Sequence, residues 1–321
     1  MTTRLSRRQF IAATGAVTSA AIVGRARPAE AQGRAITVGF IYVGPRDDFG
    51  WNQAHAVGAQ ALRGARNVTL VEQENVPETI AVQNAMESMI NLDGASLIFP
   101  TSFGYFDPHM LVVARRNARV EFRHAAGLWS ADRHPANTGS YFAYIDQGHY
   151  INGVAAALST TSNKLGFVGA KPIAPVLRNI NSFLLGAKSV NPNAVVQLIF
   201  TGDWSLPVRE AEATNSLVDQ SCDVIACHVD SPKVVVETAE RRGAKVCGHN
   251  ADQARLAPRG FITGAEAAKA QLRAGNFPIF RGPLKDNRGN EVIAAGRSYE
   301  QADPWLEQMS FLVEGVNGSL T

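Results

Sequence analysis

Cysteine is scarce in this 321-residue sequence: Cys222, Cys227 and Cys247 are the three present, and their spacing matches no zinc pattern. Cys227 and Cys247 sit in strand-like runs, which favours small buried hydrophobes over a disulfide, although an exported chain could oxidise a pair. No G-x-S-x-G and no metal-spaced histidine pair occurs, so the sequence signatures of a serine hydrolase or a zinc enzyme are missing. No metal and no cofactor is expected. No apolar run is long enough to span a bilayer; the segment from Ile11 to Val23 falls short of the ~20 residues required. Strong net charge is lacking too, at +3. Ser6-Arg7-Arg8-Gln9-Phe10-Ile11, the apolar segment behind it and Ala29-Glu30-Ala31 read together as a twin-arginine export signal over residues 1–31. The expected location is periplasmic, and with no cysteine near the cut the protein is not expected to be a lipoprotein. Removing the signal takes away five arginines and Glu30, leaving 26 basic residues against 27 acidic ones. Charge therefore gives no case for nucleic acid or for stable membrane association.

What is present is an alternation of two periods. Short apolar runs occur at 36–43, 68–74, 95–100, 119–124, 141–145, 164–170, 195–201, 223–229 and 244–248. Helical patterns separate them at 51–65, 78–92, 107–117, 148–160, 175–189, 207–220 and 232–242. Strand alternating with helix predicts an α/β fold with parallel sheets covered on both faces. The polar stretch 130–139 and the restart of the pattern at Lys164 predict two doubly wound, Rossmann-like lobes around a cleft. The first lobe spans 35–146 plus part of 251–321 and the second spans 147–249, with the tail 285–321 crossing between them. An amphipathic helix is expected from Gln301 to Val316, with Trp305, Met309, Leu312, Val313 and Val316 near one face.

Ligands of such sheets bind beyond the carboxyl ends of the strands. Those ends carry Trp51, Trp129 and Trp204. An indole on a strand-end loop suits stacking on a flat ligand, at about 0.5–1.5 kcal/mol per good stack beyond area burial. Nearby Asp and Asn side chains supply acceptors and donors for a heteroaromatic edge. The competing reading is that these rings cap the sheet and pack under loops.

The residues Gly-Pro-x-x-Asp-x-Gly-Trp-Asn-Gln-Ala-His at 44–55 resemble the opening motif of the basic membrane protein (BMP) family, solute-binding proteins of ABC importers that include purine-nucleoside receptors. Further matching stretches, in the same order, are Glu121–Gly127, Ser182–Ala187, Phe200–Ser205, Cys227–Asp230, Phe280–Asn287 and Val313–Val316. The resemblance implies a type I periplasmic-binding-protein architecture, a purine ligand held by hinge closure, and an inner-membrane ABC permease as partner. Carried over by position, it implies ligand contacts at Asp48, Trp51, Asn52, Ser102, Phe103, Asp203, Trp204, Asp230 and Asn250, with Gly44, Tyr105, His124, Trp129 and Lys171 as further candidates. Two departures stand out. His124-Ala125-Ala126 and His249-Asn250-Ala251 occupy positions where nucleoside binders carry acids, so a nucleobase such as adenine is expected over a nucleoside. After Glu266 the family's usual tryptophan-rich helix and further strand are missing, and the first lobe's sheet is expected to be partly uncovered. Two other functions compete: a sugar or riboflavin in the same fold, and an N-glycosidic hydrolase using histidines such as His55, His124, His228 and His249.

Overall fold

The structure is a computed structural model that describes residues 35–320 except 127, 263 and 276. The expected export signal lies outside the described residues. Two five-stranded parallel sheets organise the chain. The first contains β1 (Ile36–Ile41), β2 (Val68–Gln73), β3 (Leu97–Pro100), β4 (Glu121–Ala125) and β5 (Thr138–Tyr141), in the order β2-β1-β3-β4-β5. The second contains β6 (Lys164–Gly169), β7 (Val195–Phe200), β8 (Val224–His228) and β9 (Lys245–Val246), and is completed at one edge by a short strand from the tail.

The crossovers are helices: α1 (Trp51–Gln60), α2 (Ile80–Asn91) and α3 (Leu111–Arg116) in the first half, then α4 (Asp146–Ser159), α5 (Ala174–Lys188), α6 (Pro207–Asp219) and α7 (Lys233–Arg241). Parallel pairing forces such crossovers, because a hairpin can join only antiparallel neighbours. Thr79 caps α2 through its hydroxyl, which accepts from the Ala81 amide. Pro175 and Pro207 sit in the first turns of α5 and α6, where no intrahelical donor is lost. The fifth strand begins at Thr138 rather than at 141, because β5 pairs with β4 through Phe122–Thr138 and Ala125–Tyr141.

The second core is the larger. It joins Leu165, Phe167 and Val196 on the strands to Ile180, Phe183 and Leu184 on α5. Helices α4 and α5 approach closely at Gly153, where an added Cβ would lie 1.9 Å from the Phe183 carbonyl oxygen. The first sheet has one well-filled face, with Val82, Met86, Ile98 and Phe122 under α2 and α3. Its other face, under α1, buries Val38, Phe40, Tyr42, Ala56 and Ala59 and leaves Val68, Leu70, Leu97 and Phe99 partly open. At that sheet's β5 edge Tyr141 is 39% exposed.

The tail departs from expectation twice. After α8 (Glu266–Arg273) the chain forms two small antiparallel pairs: β10 (Phe280–Arg281) with β13 (Ser298–Tyr299), and β11 (Leu284–Lys285) with β12 (Glu291–Ile293). It ends in β14 (Val316–Asn317), which pairs with β7. No α-helix forms over 301–316; a single short turn, Leu306–Gln308, takes its place. The apolar residues at helical spacing are still buried, but along an irregular path fixed by Asn181. The Asn181 amide donates to the Phe311 carbonyl (2.9 Å) and its Oδ1 accepts from the Val313 amide (2.9 Å). A buried side chain thus takes the backbone groups that a helix would pair internally. The second departure is placement: Ala257, Ala268, Phe280, Ile293, Leu306 and Val316 join the core of the second sheet, not the first. Their apolar faces meet α4, α5 and β7, which lie nearest along the path from β9. Among the described residues no helix is long and apolar enough to cross a membrane.

Candidate functional site

The carboxyl ends of the two sheets face each other, and the loops that leave them touch. The Trp51 amide donates to the Asp230 carbonyl (3.1 Å), the Ser231 hydroxyl donates to the Asp48 carbonyl (3.3 Å), and Gln253 Nε2 donates to the Phe49 carbonyl (2.5 Å). Lys171 reaches across to Glu78 (3.4 Å). The Phe49 ring packs under the Arg255 guanidinium at 4.5 Å. Gly50 is required at this contact, since a Cβ there would sit 2.1 Å from the Asp230 carbonyl oxygen.

Behind these contacts lies a partly open cavity of about 110 Å³. A water needs roughly 10–15 Å³ by that measure, so the space takes several waters or a small flat molecule. Trp51, Ser102 and Phe103 line it from the first half, and Trp204 and Asp230 from the second. Both indoles therefore face one cavity, as the strand-end reading predicts. Their surroundings differ. Trp51 begins α1, donates its indole N–H to the Thr101 carbonyl (2.9 Å) and leans on His55 at 4.4 Å. Trp204 follows β7, carries Lys171 over its ring at 5.0 Å, and has a buried indole N–H with no protein partner.

Asp48 does not reach out to this cavity. Its two carboxylate oxygens accept from the amides of Gly50 (2.8 Å), Asn52 (3.0 Å) and Gln53 (2.9 Å) and from the Asn52 side chain (2.8 Å). It fixes the first turn of α1, whose free amides need acceptors. Burial holds its carboxyl above the usual carboxylate range, and these donors offset only part of that rise.

A second, more open groove of about 630 Å³ lies on the other side of Trp204 and Asp230. Gly44, Asp48, Asn52, Glu78, Lys171 and Asp203 line it. Lys171 binds Asp203 (2.8 Å) besides Glu78, so its ammonium is shared by two carboxylates. Burial lowers the lysine, but these two acids raise it further, and Lys171 in turn helps hold Asp203 below the usual carboxylate range against its own burial. Asn250 faces neither space; it lines a third hollow with Trp51, His55, His149 and His249.

Three expected contacts turn inward instead. The Tyr105 hydroxyl donates to the Val76 carbonyl within the first core. His124 points from β4 to the Ser102 carbonyl (2.8 Å), and burial lowers its ring to about 4. Trp129 packs against the first core. None of the three lines the cavity or the groove.

The cavity also includes residues that strand ends do not announce. Phe142, Ala143 and Ile145 come from the crossing between the sheets, Asp146, Arg178 and Asn179 from helices, and Tyr141 and His228 are the last residues of β5 and β8. Arg178 is held by the protein itself: it donates to Asp146 Oδ2 (2.9 Å), Glu307 (2.7 Å) and the Gln301 carbonyl (2.6 Å). Asp146 Oδ1 remains buried without a protein partner. Behind the cavity His228, His149 and His249 cluster, with His149 Nε2 3.1 Å from His249 Nδ1 and the Asn179 amide donating to His228 Nδ1 (2.8 Å). Burial lowers all three, His149 to about 3, His228 to about 4 and His249 well below its ordinary value. Among the described residues no group of His, Cys, Asp or Glu is arranged to hold a metal, and all three cysteines are free and buried.

Residues 35–271 match the family model described as "ABC transporter substrate-binding protein PnrA-like". A purine-binding protein of Brucella abortus is 32% identical to this chain, with 89% of the chain and 94% of the relative aligned. That alignment runs over 337 positions, more than the whole chain contains, so the chain carries gaps against this relative. The fold is similar to that of an ABC-transporter solute-binding protein from Aeropyrum pernix, with TM-score 0.60 and 22% identity over 75% of this chain and 72% of the other. It is also similar to one from Conexibacter woesei, with TM-score 0.57 and 21% identity over 86% and 95%. These neighbours place the paired parallel sheets in the type I periplasmic-binding-protein architecture. The chain belongs to the PnrA-like family of ABC transporter substrate-binding proteins.

Proposed function

We propose that this protein is the periplasmic receptor of an ABC importer and that it captures a purine, a nucleobase such as adenine in preference to a nucleoside. The observation that carries this reading is that Trp51 and Trp204, supplied by opposite sheets, line one small, partly open cavity. A flat ring between two indoles satisfies both faces. Among cavity-lining residues the buried unpaired atoms are a donor, Trp204 Nε1, and two acceptors, Asp146 Oδ1 and Asp230 Oδ2, and a purine edge offers complements to both kinds. The purine-binding name of the Brucella relative points the same way. The cavity's small size and the side chains Ala125 and Ala126 on its wall favour a base without its sugar.

Binding works by differential contact. The two sheets and their helices act as lobes, with 35–141 in one and 164–246 plus the tail in the other. The contacts between Phe49–Trp51 and Asp230–Gln253 belong to the closed arrangement, and a ring that touches both indoles stabilises that arrangement over an open one. A permease in the inner membrane then reads the closed outline. No chemistry on the ligand is required, so the protein is not an enzyme in this reading. Trp51, Trp204, Ser102 and Phe103 act as direct contacts, while Asp48 acts through α1. Isothermal titration with adenine, adenosine, riboflavin and pentoses tests the proposal. It expects the tightest binding for a nucleobase, and tight pentose binding with no response to adenine would overturn it. Hydrolysis of adenosine during the titration would overturn the non-enzymatic part.

A further inference from the structure

The groove outside the cavity is a built site in its own right. Four carboxylates, Asp48, Glu78, Asp203 and Asp230, line it against one ammonium, Lys171. Most of their hydrogen-bonding capacity is spent. Asp48 is saturated by α1, Glu78 accepts from the Ser102 hydroxyl (2.6 Å) and the Gly104 amide (2.7 Å), and Asp203 holds Lys171 and the Trp204 amide (2.8 Å). Two groove residues keep a buried oxygen with no protein partner: Asn52 Oδ1, in a side chain with no exposed surface, and Asp230 Oδ2, in a residue 7% exposed. They come from opposite halves of the molecule, and both atoms are hydrogen-bond acceptors when Asp230 is ionised.

We infer that this groove is a second subsite, for a cationic N–H-donating group, an alkylammonium, attached to the ring that occupies the neighbouring cavity. The inference rests on the reading of that cavity as a ring site. Trp204 and Asp230 line both spaces and so stand between them, and a linker from the ring would have to pass at this pair to enter the groove. An ammonium supplies the N–H donors that such oxygens lack and offsets the surplus of carboxylates, whereas an anionic group would add to it. Burial, then the charges of Asp48 and Glu78, push Asp230 well above the usual carboxylate range, and a cation beside it would restore the ionised form.

The test is titration of the full chain at pH 7.5 with adenine, 9-propyladenine, 9-(3-aminopropyl)adenine and adenosine, together with 1,4-diaminobutane alone. The aminopropyl compound is expected to bind at least tenfold more tightly than the propyl compound. That gain should shrink in 0.5 M salt and fall below threefold in Asp230→Asn and in Asn52→Leu, each compared with the propyl compound on the same variant. Equal binding of the two, or adenosine binding more tightly than the amine, would overturn the inference and assign the groove to neutral hydroxyls. Failure of adenine and all its derivatives would defeat the ring reading and this inference as stated. Binding of diaminobutane lost in Asp230→Asn would then show a cation site independent of any ring.

Discussion

Trp51 and Trp204 are held by different means, so substitution separates stacking from hydrogen bonding. Trp51 spends its N–H on Thr101, and only its face is free for a ligand. Trp51→Ala should weaken adenine binding by roughly tenfold or more, since a good stack contributes about 0.5–1.5 kcal/mol beyond area burial. Trp204→Phe keeps a ring and removes the unpaired N–H, so a loss of about 1 kcal/mol, several-fold in Kd, is expected for a ligand that accepts there. Calorimetry on both variants checks the pair; unchanged affinity in both would remove the indoles from the site. Trp51, Ser102, Phe103, Trp204 and Asp230 were legible in the sequence because each lies just beyond a strand, where a doubly wound sheet must present its loops. Asp146, Asn179 and His228 carry no such local mark. They reach the cavity from helix turns and a strand end that only the register of two sheets brings together. Tyr105 and Trp129 follow strands and His124 lies near the end of β4, yet all three turn inward, and spacing alone does not tell which way a side chain turns.

At the scale of elements, α5 and the tail depend on each other. Asn181 is fully buried and holds the chain at Phe311 and Val313, so Asn181→Ala would leave those backbone groups unpaired. A loss of about 1–3 kcal/mol follows, measurable as a lower denaturation midpoint. Asn181→Asp keeps the acceptor for Val313 but sets a buried carboxylate oxygen against the Phe311 carbonyl, so it should recover none of the loss at neutral pH. Gly153→Ala pushes a methyl into the Phe183 carbonyl and should cost a similar amount or more through separation of α4 from α5. Both effects belong to the second core and leave the α1 turn untouched. The strand–helix alternation made the seven crossover helices and nine main strands readable. The tail was misread because a helical spacing of apolar residues does not distinguish a helix from a chain whose buried groups are paired by a neighbour's side chain.

For the whole molecule, the histidines behind the cavity set a pH dependence. Their ordinary value is 6.5, and burial holds His149 at about 3 and His228 at about 4 in the folded chain. Below pH 6.5 the unfolded chain binds protons that the folded one refuses, so stability is full above that value and falls as the pH drops toward 4. Each such histidine contributes a slope of about 1.4 kcal/mol per pH unit in that window. Urea titrations from pH 8 to 4.5 should show a flat upper limb and a declining lower one, and His149→Gln should flatten the decline. Burial raises Glu210 to about 7 and Asp230 well above its ordinary value, which gives an opposite slope, so the His149→Gln comparison isolates the ring: an unchanged slope in that variant would mean that His149 is open to protons in the folded state. His249 is tied through its backbone amide and Gln253 to Phe49 across the cleft.

The most direct measurement is a crystal structure of the protein soaked or grown with adenine. The account predicts a purine ring lying between the Trp51 and Trp204 indoles, with an edge atom accepting from Trp204 Nε1. Adenine bound in the outer groove alone, or on one side of both indoles, would contradict it.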